Sequence, residues 1–211
     1  MTRRARTVIR CVHCRIHTDL CFCGEIHPIS TRTRVLLVLH RLEDRKSTNT
    51  GRLATKCLLN SEVLLRGQLS GLDEEPRIDP ATQPLVLFPQ EGAIPLTEYQ
   101  GSKRPITLVV PDGNWRQASK VRARIPALAN VPVVSLPPGP PSIYRLRKEV
   151  TEGALSTMEA IARALGILEG PDAQEALERV FRILVERTLW SRGTIVESEM
   201  ADGLPSQEPA I

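Results

Sequence analysis

Four short apolar runs constrain this chain more than any other feature: Arg34–His40 (RVLLVLH), Pro84–Pro89 (PLVLFP), Ile106–Val110 (ITLVV) and Val131–Leu136 (VPVVSL). They are rich in β-preferring residues, and a helical pattern or a long connection separates each from the next. Strands joined in this way pair with the same polarity. The pattern therefore predicts an α/β fold, a mainly parallel sheet with flanking helices.

The stretches between the strands set further expectations. Asn49-Thr50-Gly51 can open a helix over Arg52–Leu65, where Leu53, Cys57, Leu58 and Leu64 approximate helical spacing. Residues 67–84 have no period and read as loop, with at most one short strand. Glu98–Arg104 reads as a polar connection and Trp115–Arg124 as helix. The run PPGPP at 137–141 ends the fourth strand, because proline neither continues a sheet nor enters a helix in mid-run. Tyr144–Lys148 is a candidate fifth strand. Ser156–Leu168 and Ala173–Leu189 read as helices, the first with Ser156 and Glu159 spaced as a capping box.

The 211 residues suffice for one sizeable core, or for one core with a small appended module. Net charge is +4, and its distribution is uneven: residues 1–34 hold seven arginines against Asp19 and Glu25, whereas 197–211 hold four acids and no bases. The basic end is either solvated or a face that meets phosphate. The acidic end, from about Val196, is expected to be disordered. These shifts suggest an N-terminal segment 1–33, a main domain 34–195 and a tail 196–211. No apolar run approaches a membrane span, and the basic start MTRRARTVIR lacks the apolar stretch of a secretory signal. A cytoplasmic location is the expectation.

Cys11, Cys14, Cys21 and Cys23 form a C-x2-C-x6-C-x-C block. In a reducing compartment this spacing favours a metal over disulfides, and four thiolates suit a closed tetrahedral zinc site. Such a site can hold in place a segment too small for its own core. The alternatives are reduced thiols, an oxidised form, or an iron–sulfur cluster, although the spacing matches none of the usual cluster runs; His13 or His17 could substitute as ligands and otherwise read as surface histidines. Cys57, within an apolar helical pattern, reads as core.

The chemistry-bearing stretch is Ile106–Lys120 (ITLVVPDGNWRQASK). A strand runs into Pro-Asp-Gly, leaving the Asp112 carboxylate just past its C-terminal end, where open α/β sheets place ligands. The bland alternatives are that Asp112 only forms a turn and that Trp115 is core. No GxG occurs anywhere, nor a P-loop, HExxH or GxSxG. A nucleotide-like ligand would need the strand-end loops at Phe88-Pro89, Pro111–Gly113, 136–142 and 153–157.

Several motifs occur together in a fixed order: the cysteine block, His40–Glu43 (H-x-x-E), Asn49-Thr50-Gly51, Leu87-Phe88-Pro89, Asp112–Trp115 (DGNW), Tyr144–Arg147 (Y-x-L-R) and Leu155–Ala160 (LSTMEA). The set resembles the DTW-domain proteins, bacterial tRNA-uridine aminocarboxypropyltransferases, from about residue 8 to 190. One departure is that Asp112-Gly113-Asn114-Trp115 stands for Asp-Thr-Trp, with Asn114 where threonine is common. The resemblance implies a SPOUT-like fold with a trefoil knot in the C-terminal half and S-adenosylmethionine bound in the knot loops. It implies transfer of the 3-amino-3-carboxypropyl group to N3 of a tRNA uridine, releasing methylthioadenosine.

On this resemblance Asp112 and Trp115 are the catalytic candidates. Asp112 either removes the N3 proton or orients N3 by accepting its hydrogen bond; an ordinary aspartate, with a pKa of about 3.9, is a weak base. Donor-binding candidates are Leu87, Phe88, Pro89, Val110, Pro111, Gly113, Leu136, Tyr144, Arg147, Leu155, Ser156, Thr157 and Glu159. Backbone N–H groups, Ser156, Thr157 or Arg147 could receive the donor carboxylate. His40, Arg41, Arg45, Lys46, Asn49, Arg52, Arg116 and Lys120 are candidates for holding tRNA around a flipped uridine. The four cysteines would bind structural zinc. Two rival functions remain open: a SPOUT-type RNA methyltransferase, and a non-catalytic zinc-dependent RNA-binding protein.

Overall fold

The computed structural model describes residues 9–46, 49–67, 73–146 and 154–205. Its strands are β1 (Arg34–His40), β2 (Ser61–Arg66), β3 (Gln83–Leu87), β4 (Ile94–Pro95), β5 (Ile106–Asp112) and β6 (Val133–Ser135). Its α-helices are α1 (Arg41–Asp44), α2 (Thr50–Lys56), α3 (Trp115–Ala118), α4 (Val121–Arg124), α5 (Thr157–Leu168) and α6 (Pro171–Ser191). The strands form one sheet in the order β2-β1-β5-β3-β6-β4, and every pairing is parallel. The α/β fold with a parallel sheet flanked by helices is as expected.

Strand residues alternate between the two faces. Val35, Leu37, Leu39, Leu85, Leu108 and Val110 meet α2, α5 and α6 on one side. Leu36, Val38, Val86 and Val109 meet Ala118, Ile125, Leu128 and Val131 on the other. Burial on both faces is what makes these strands continuous apolar runs. The N-terminal segment shares the first core, since Cys14, Ile16, Leu20 and Phe22 join it.

Four expectations are corrected. The helix over Arg52–Leu65 ends at Lys56, and Ser61–Arg66 is an edge strand paired with β1. Ser61 Oγ donates to the carbonyls of Thr55 and Leu58, which satisfies acceptors at the helix end and turns the chain away. The helix over Trp115–Arg124 divides into α3 and α4 at Ser119-Lys120. Tyr144–Leu146 is a turn and not a strand, with Tyr144 buried against Phe181; Arg147 and Lys148 lie outside the described residues. Finally, the acidic tail is not disordered as far as Pro205. Asp202 pairs with Arg179, the Ala201 N–H donates to Glu186, and Met200 is buried.

The tail and the cysteine segment meet at Arg187 on α6, which is only 2% exposed. Its guanidinium donates to the carbonyls of Leu20 and Cys21 and, through Nε, to that of Gly203. Among the described residues, no helix is long and apolar enough to cross a membrane.

Candidate active site

β5 is a central strand, flanked by β1 and β3, and its C-terminal residue is Asp112. The register puts Leu39 opposite Asp112, so β1 and β5 end level with each other. Asp112 is 7% exposed. Its Oδ2 accepts from Asn49 Nδ2 at 2.8 Å, and its Oδ1 accepts from Thr157 Oγ1 at 2.9 Å. Asn49 is the N-cap of α2, with Oδ1 accepting from the Arg52 N–H at 2.8 Å. One amide thus starts a helix with its oxygen and holds the carboxylate with its nitrogen. Gly51 makes the approach possible, because a Cβ there would lie 2.3 Å from Asp112 Oδ2.

The turn after Asp112 is equally determined. Asn114 caps α3 by accepting from the Gln117 N–H, and the Gln117 side chain accepts from the Asn114 N–H. Asparagine caps a helix at least as well as threonine, so the departure at this position keeps the local geometry. Gln117 Nε2 reaches His40 Nδ1 at 3.2 Å, tying the ends of β1 and β5 together. Trp115 is 65% exposed, with its ring centroid 4.9 Å from that of Phe88. It is a surface platform and not core.

A cleft of about 540 Å³ opens beside this turn at the C-terminal ends of β3, β5 and β6. Of the expected donor-binding residues, Leu87, Phe88, Pro89, Val110, Pro111, Gly113, Leu136, Leu155 and Thr157 line it, as does Trp115. The proline run 137–141 forms one wall. A second, small cavity of about 90 Å³ is lined by Asp112, His40 and Gln117, and Ala118 borders both. Three expected residues stand elsewhere. Tyr144 is core. Ser156 caps α5, with Oγ accepting from the Glu159 N–H at 3.3 Å. Glu159 is buried and accepts from Ser142 Oγ, the Ile143 N–H and the Ser156 N–H, clamping the end of the proline run to α5. Arg147 lies outside the described residues.

The expected RNA contacts also divide. Arg45, Lys46, Arg116 and Lys120 are exposed and Arg41 is half-buried. Lys46 pairs with Glu43 at 2.5 Å. Asn49 is buried, with its side chain engaged by Asp112 and the Arg52 N–H. Arg52 pairs with Asp44, which also pairs with Arg15 at 3.5 Å. Burial alone would raise the Asp44 carboxyl, but Arg52 and Arg15 hold it below its usual range. Arg15 follows Cys14 with a left-handed φ of 64°.

All five cysteines are free, and the sulfurs of Cys11, Cys14, Cys21 and Cys23 lie within 4.8 Å of one another. The Cys11–Cys23, Cys11–Cys21 and Cys14–Cys21 separations are 3.5, 3.6 and 3.7 Å. Four sulfurs placed tetrahedrally at about 2.3 Å from zinc would be about 3.8 Å apart, so the cluster is already shaped for that ion. Burial pushes the Cys14 thiol up to about 11 and raises Cys23 as well. Burial also opposes ionisation of Cys11, but hydrogen bonds at the Cys14 and His13 backbone and from neighbouring thiols bring it down to about 6. Gathering four thiolates here needs a dication. His13 and His17 stand outside the cluster, and Cys57 is buried in the core as expected.

Residues 8–189 match the family described as the DTW domain. The chain belongs to the DTW-domain family. It is 30% identical over 189 residues to tRNA-uridine aminocarboxypropyltransferase 2 of Drosophila melanogaster, covering 85% of this chain and 75% of that one. It is 29% identical over 211 residues to tRNA-uridine aminocarboxypropyltransferase A of Arabidopsis thaliana, covering 83% and 78%. Among solved structures it is similar to the SAM-dependent rRNA:acp-transferase Tsr3 of Vulcanisaeta distributa, with a TM-score of 0.48 and 16% identity over 81% of this chain and 85% of that one.

Some features of this DTW site escaped sequence reasoning. Asn49 holds Asp112 from 63 residues away, and nothing local signals that pairing. Gly51 was legible only as part of a helix start. Arg163 lines the cleft and donates from Nη2 to the Pro140 carbonyl at 2.7 Å. The available signal was its spacing, since Thr157, Ala160 and Arg163 fall on one face of α5.

Proposed function

We propose that this protein transfers the 3-amino-3-carboxypropyl group of S-adenosylmethionine to N3 of a tRNA uridine, giving acp3U and methylthioadenosine. One observation carries the reading: a buried carboxylate, held at both oxygens by Asn49 and Thr157, lines a small cavity at the C-terminal edge of a parallel sheet, and its neighbours Pro111, Gly113 and Thr157 line the larger apolar cleft beside it. The names of the curated relatives support the same reaction. In the transfer a bond forms between N3 and the chain's γ-carbon, the γ-carbon–sulfur bond breaks with its electron pair going to sulfur, and the N3 proton leaves.

The cleft receives the donor among Leu87, Phe88, Val110, Pro111, Leu136 and Leu155. Asp112 accepts the N3–H and aligns the nitrogen with the γ-carbon. Asn49 and Thr157, donating to its two oxygens, fix the direction in which the carboxylate faces that nitrogen. Fixed alignment supplies much of the rate, because the sulfonium is already a good leaving group. Trp115 offers a face on which the flipped uridine stacks, while Arg41, Arg45, Arg116 and Lys120 meet phosphates. The four cysteines hold a structural zinc away from the reaction. This reading includes a SPOUT-like trefoil knot around the cleft and a cytoplasmic location.

The test is mass spectrometry of nucleosides from tRNA incubated with the protein and S-adenosylmethionine. The expected result is acp3U with methylthioadenosine, both lost in Asp112→Ala while donor binding and zinc content persist. S-adenosylhomocysteine as the by-product would establish methyl transfer instead, and full activity in Asp112→Ala would remove the carboxylate's role.

A further inference from the structure

We infer that Arg163 is a donor-binding residue that receives the α-carboxylate of the aminocarboxypropyl chain, an assignment that rests on the transferase reading and adds to it a specific subsite. The donor ends in an amino acid, so its carboxylate must enter the cleft with the reacting chain. A carboxylate in apolar surroundings requires a cation or several donors. Among the described residues lining the cleft, Arg163 is the one charged side chain. Thr157 supplies the hydroxyl, and that group already donates to Asp112. Ser156 and Glu159 are occupied with capping α5 and clamping the proline run.

Arg163 lines the cleft from the same helix as Thr157, the residue that holds Asp112. Thr157 and Arg163 are six residues apart on α5, a rise of about 9 Å. Helical side chains lean toward the N-terminus of their helix, which in α5 is the end where Thr157 holds Asp112. Its orientation is fixed by the bond from Nη2 to the Pro140 carbonyl. Gly139 makes room, because a Cβ there would lie 3.0 Å from Arg163 Nη1. A glycine in the middle of PPGPP thus has a use: it lets the guanidinium lie against the loop. No described acid pairs with Arg163, so its charge is available to a ligand.

Calorimetric titration of the full-length protein without RNA tests this with three ligands. S-adenosylmethionine carries the carboxylate, decarboxylated S-adenosylmethionine lacks only that group, and methylthioadenosine lacks the whole chain. Wild-type protein should bind the decarboxylated compound roughly 10- to 100-fold more weakly than S-adenosylmethionine. Arg163→Gln should erase that difference while binding methylthioadenosine within about twofold of wild type, and Arg163→Lys should restore part of it. Equal wild-type affinity for the first two ligands overturns the assignment without any variant. So does an Arg163→Gln protein that weakens all three alike, which would make Arg163 a wall of the cleft. Wild-type protein that binds none of them removes the transferase reading itself, a distinct outcome.

Discussion

Replacing Gly51 with alanine tests whether the position of Asp112 sets the rate. The new Cβ would lie 2.3 Å from Asp112 Oδ2 and 3.0 Å from Leu37 Cδ1, whereas ordinary contact begins near 3.4 Å. Either the carboxylate or the first turn of α2 must move by more than 1 Å. Leu37 is fully buried in the sheet, so the carboxylate yields first, stretching its bonds to Asn49 at 2.8 Å and Thr157 at 2.9 Å. A misplacement of this size costs roughly 100-fold in turnover. Helix propensity favours alanine by up to ~1 kcal/mol, while overpacking costs ~1–3 kcal/mol, so net stability should fall by no more than about 3 kcal/mol. For a chain of this length that lowers the melting midpoint by at most about 12 °C. Gly51 does not line the cleft, so S-adenosylmethionine affinity should stay within about threefold of wild type. Single-turnover release of methylthioadenosine, thermal melting and calorimetry measure the three quantities. A Gly51→Ala protein with the wild-type rate and melting point would show that the carboxylate's position is unimportant.

Metal analysis should find a single zinc per chain, and chelation or Cys14→Ser should lower the melting point and expose the remaining thiols to a thiol reagent; zinc-free protein with unchanged stability would contradict the assignment. Trp115→Ala should change stability by no more than about 0.5 kcal/mol, since the ring is 65% exposed, yet weaken productive tRNA binding roughly tenfold or more through lost stacking. Trp115→Phe should retain most of that binding, and a Trp115→Ala protein with normal tRNA kinetics would exclude the platform role. Asp44 contributes stability that is present above its unfolded pKa of about 3.9 and lost as pH falls through its depressed folded value. The stability difference between wild type and Asp44→Asn should therefore be flat from pH 5 to 7 and shrink below about pH 4 in urea titrations. A difference that stays constant into that range would show that Arg15 and Arg52 contribute nothing through this carboxylate.

The parts legible in the sequence were those whose signal is local. The strands β1, β3, β5 and β6 are buried on both faces and carry β-preferring residues in unbroken runs. The strand β2 was missed because it lies at the sheet edge, with Leu64 its one fully buried side chain. The spacing from Leu53 to Leu64 imitates a helix, although two elements share it. The two-residue β4 is too short to leave a pattern. In the site, Asp112 could be found because a Pro-Asp-Gly turn ends a strand. Its partners Asn49 and Thr157 could not be paired with it, since only the level ends of β1 and β5 and the packing of α2 on α5 bring them together. Arg163 looked like any charge on a helix until the gap at Gly139 gave it a loop to lie against. The tail looked solvated because composition records its acids but not Arg179 on α6, which pairs with Asp202.

The anchorage of Arg187 bears on the order in which the protein is made. The guanidinium joins α6 to the carbonyls of Leu20 and Cys21, which lie 167 and 166 residues earlier in the chain. The cysteine loop leaves the ribosome before α6, and the helix that seats it is translated about 10–30 s later. Until then the Leu20 and Cys21 carbonyls lack the guanidinium, and the core that the loop shares with β1 and α2 lacks its α6 side chains. A loop made early thus depends on a helix made late for its final seat.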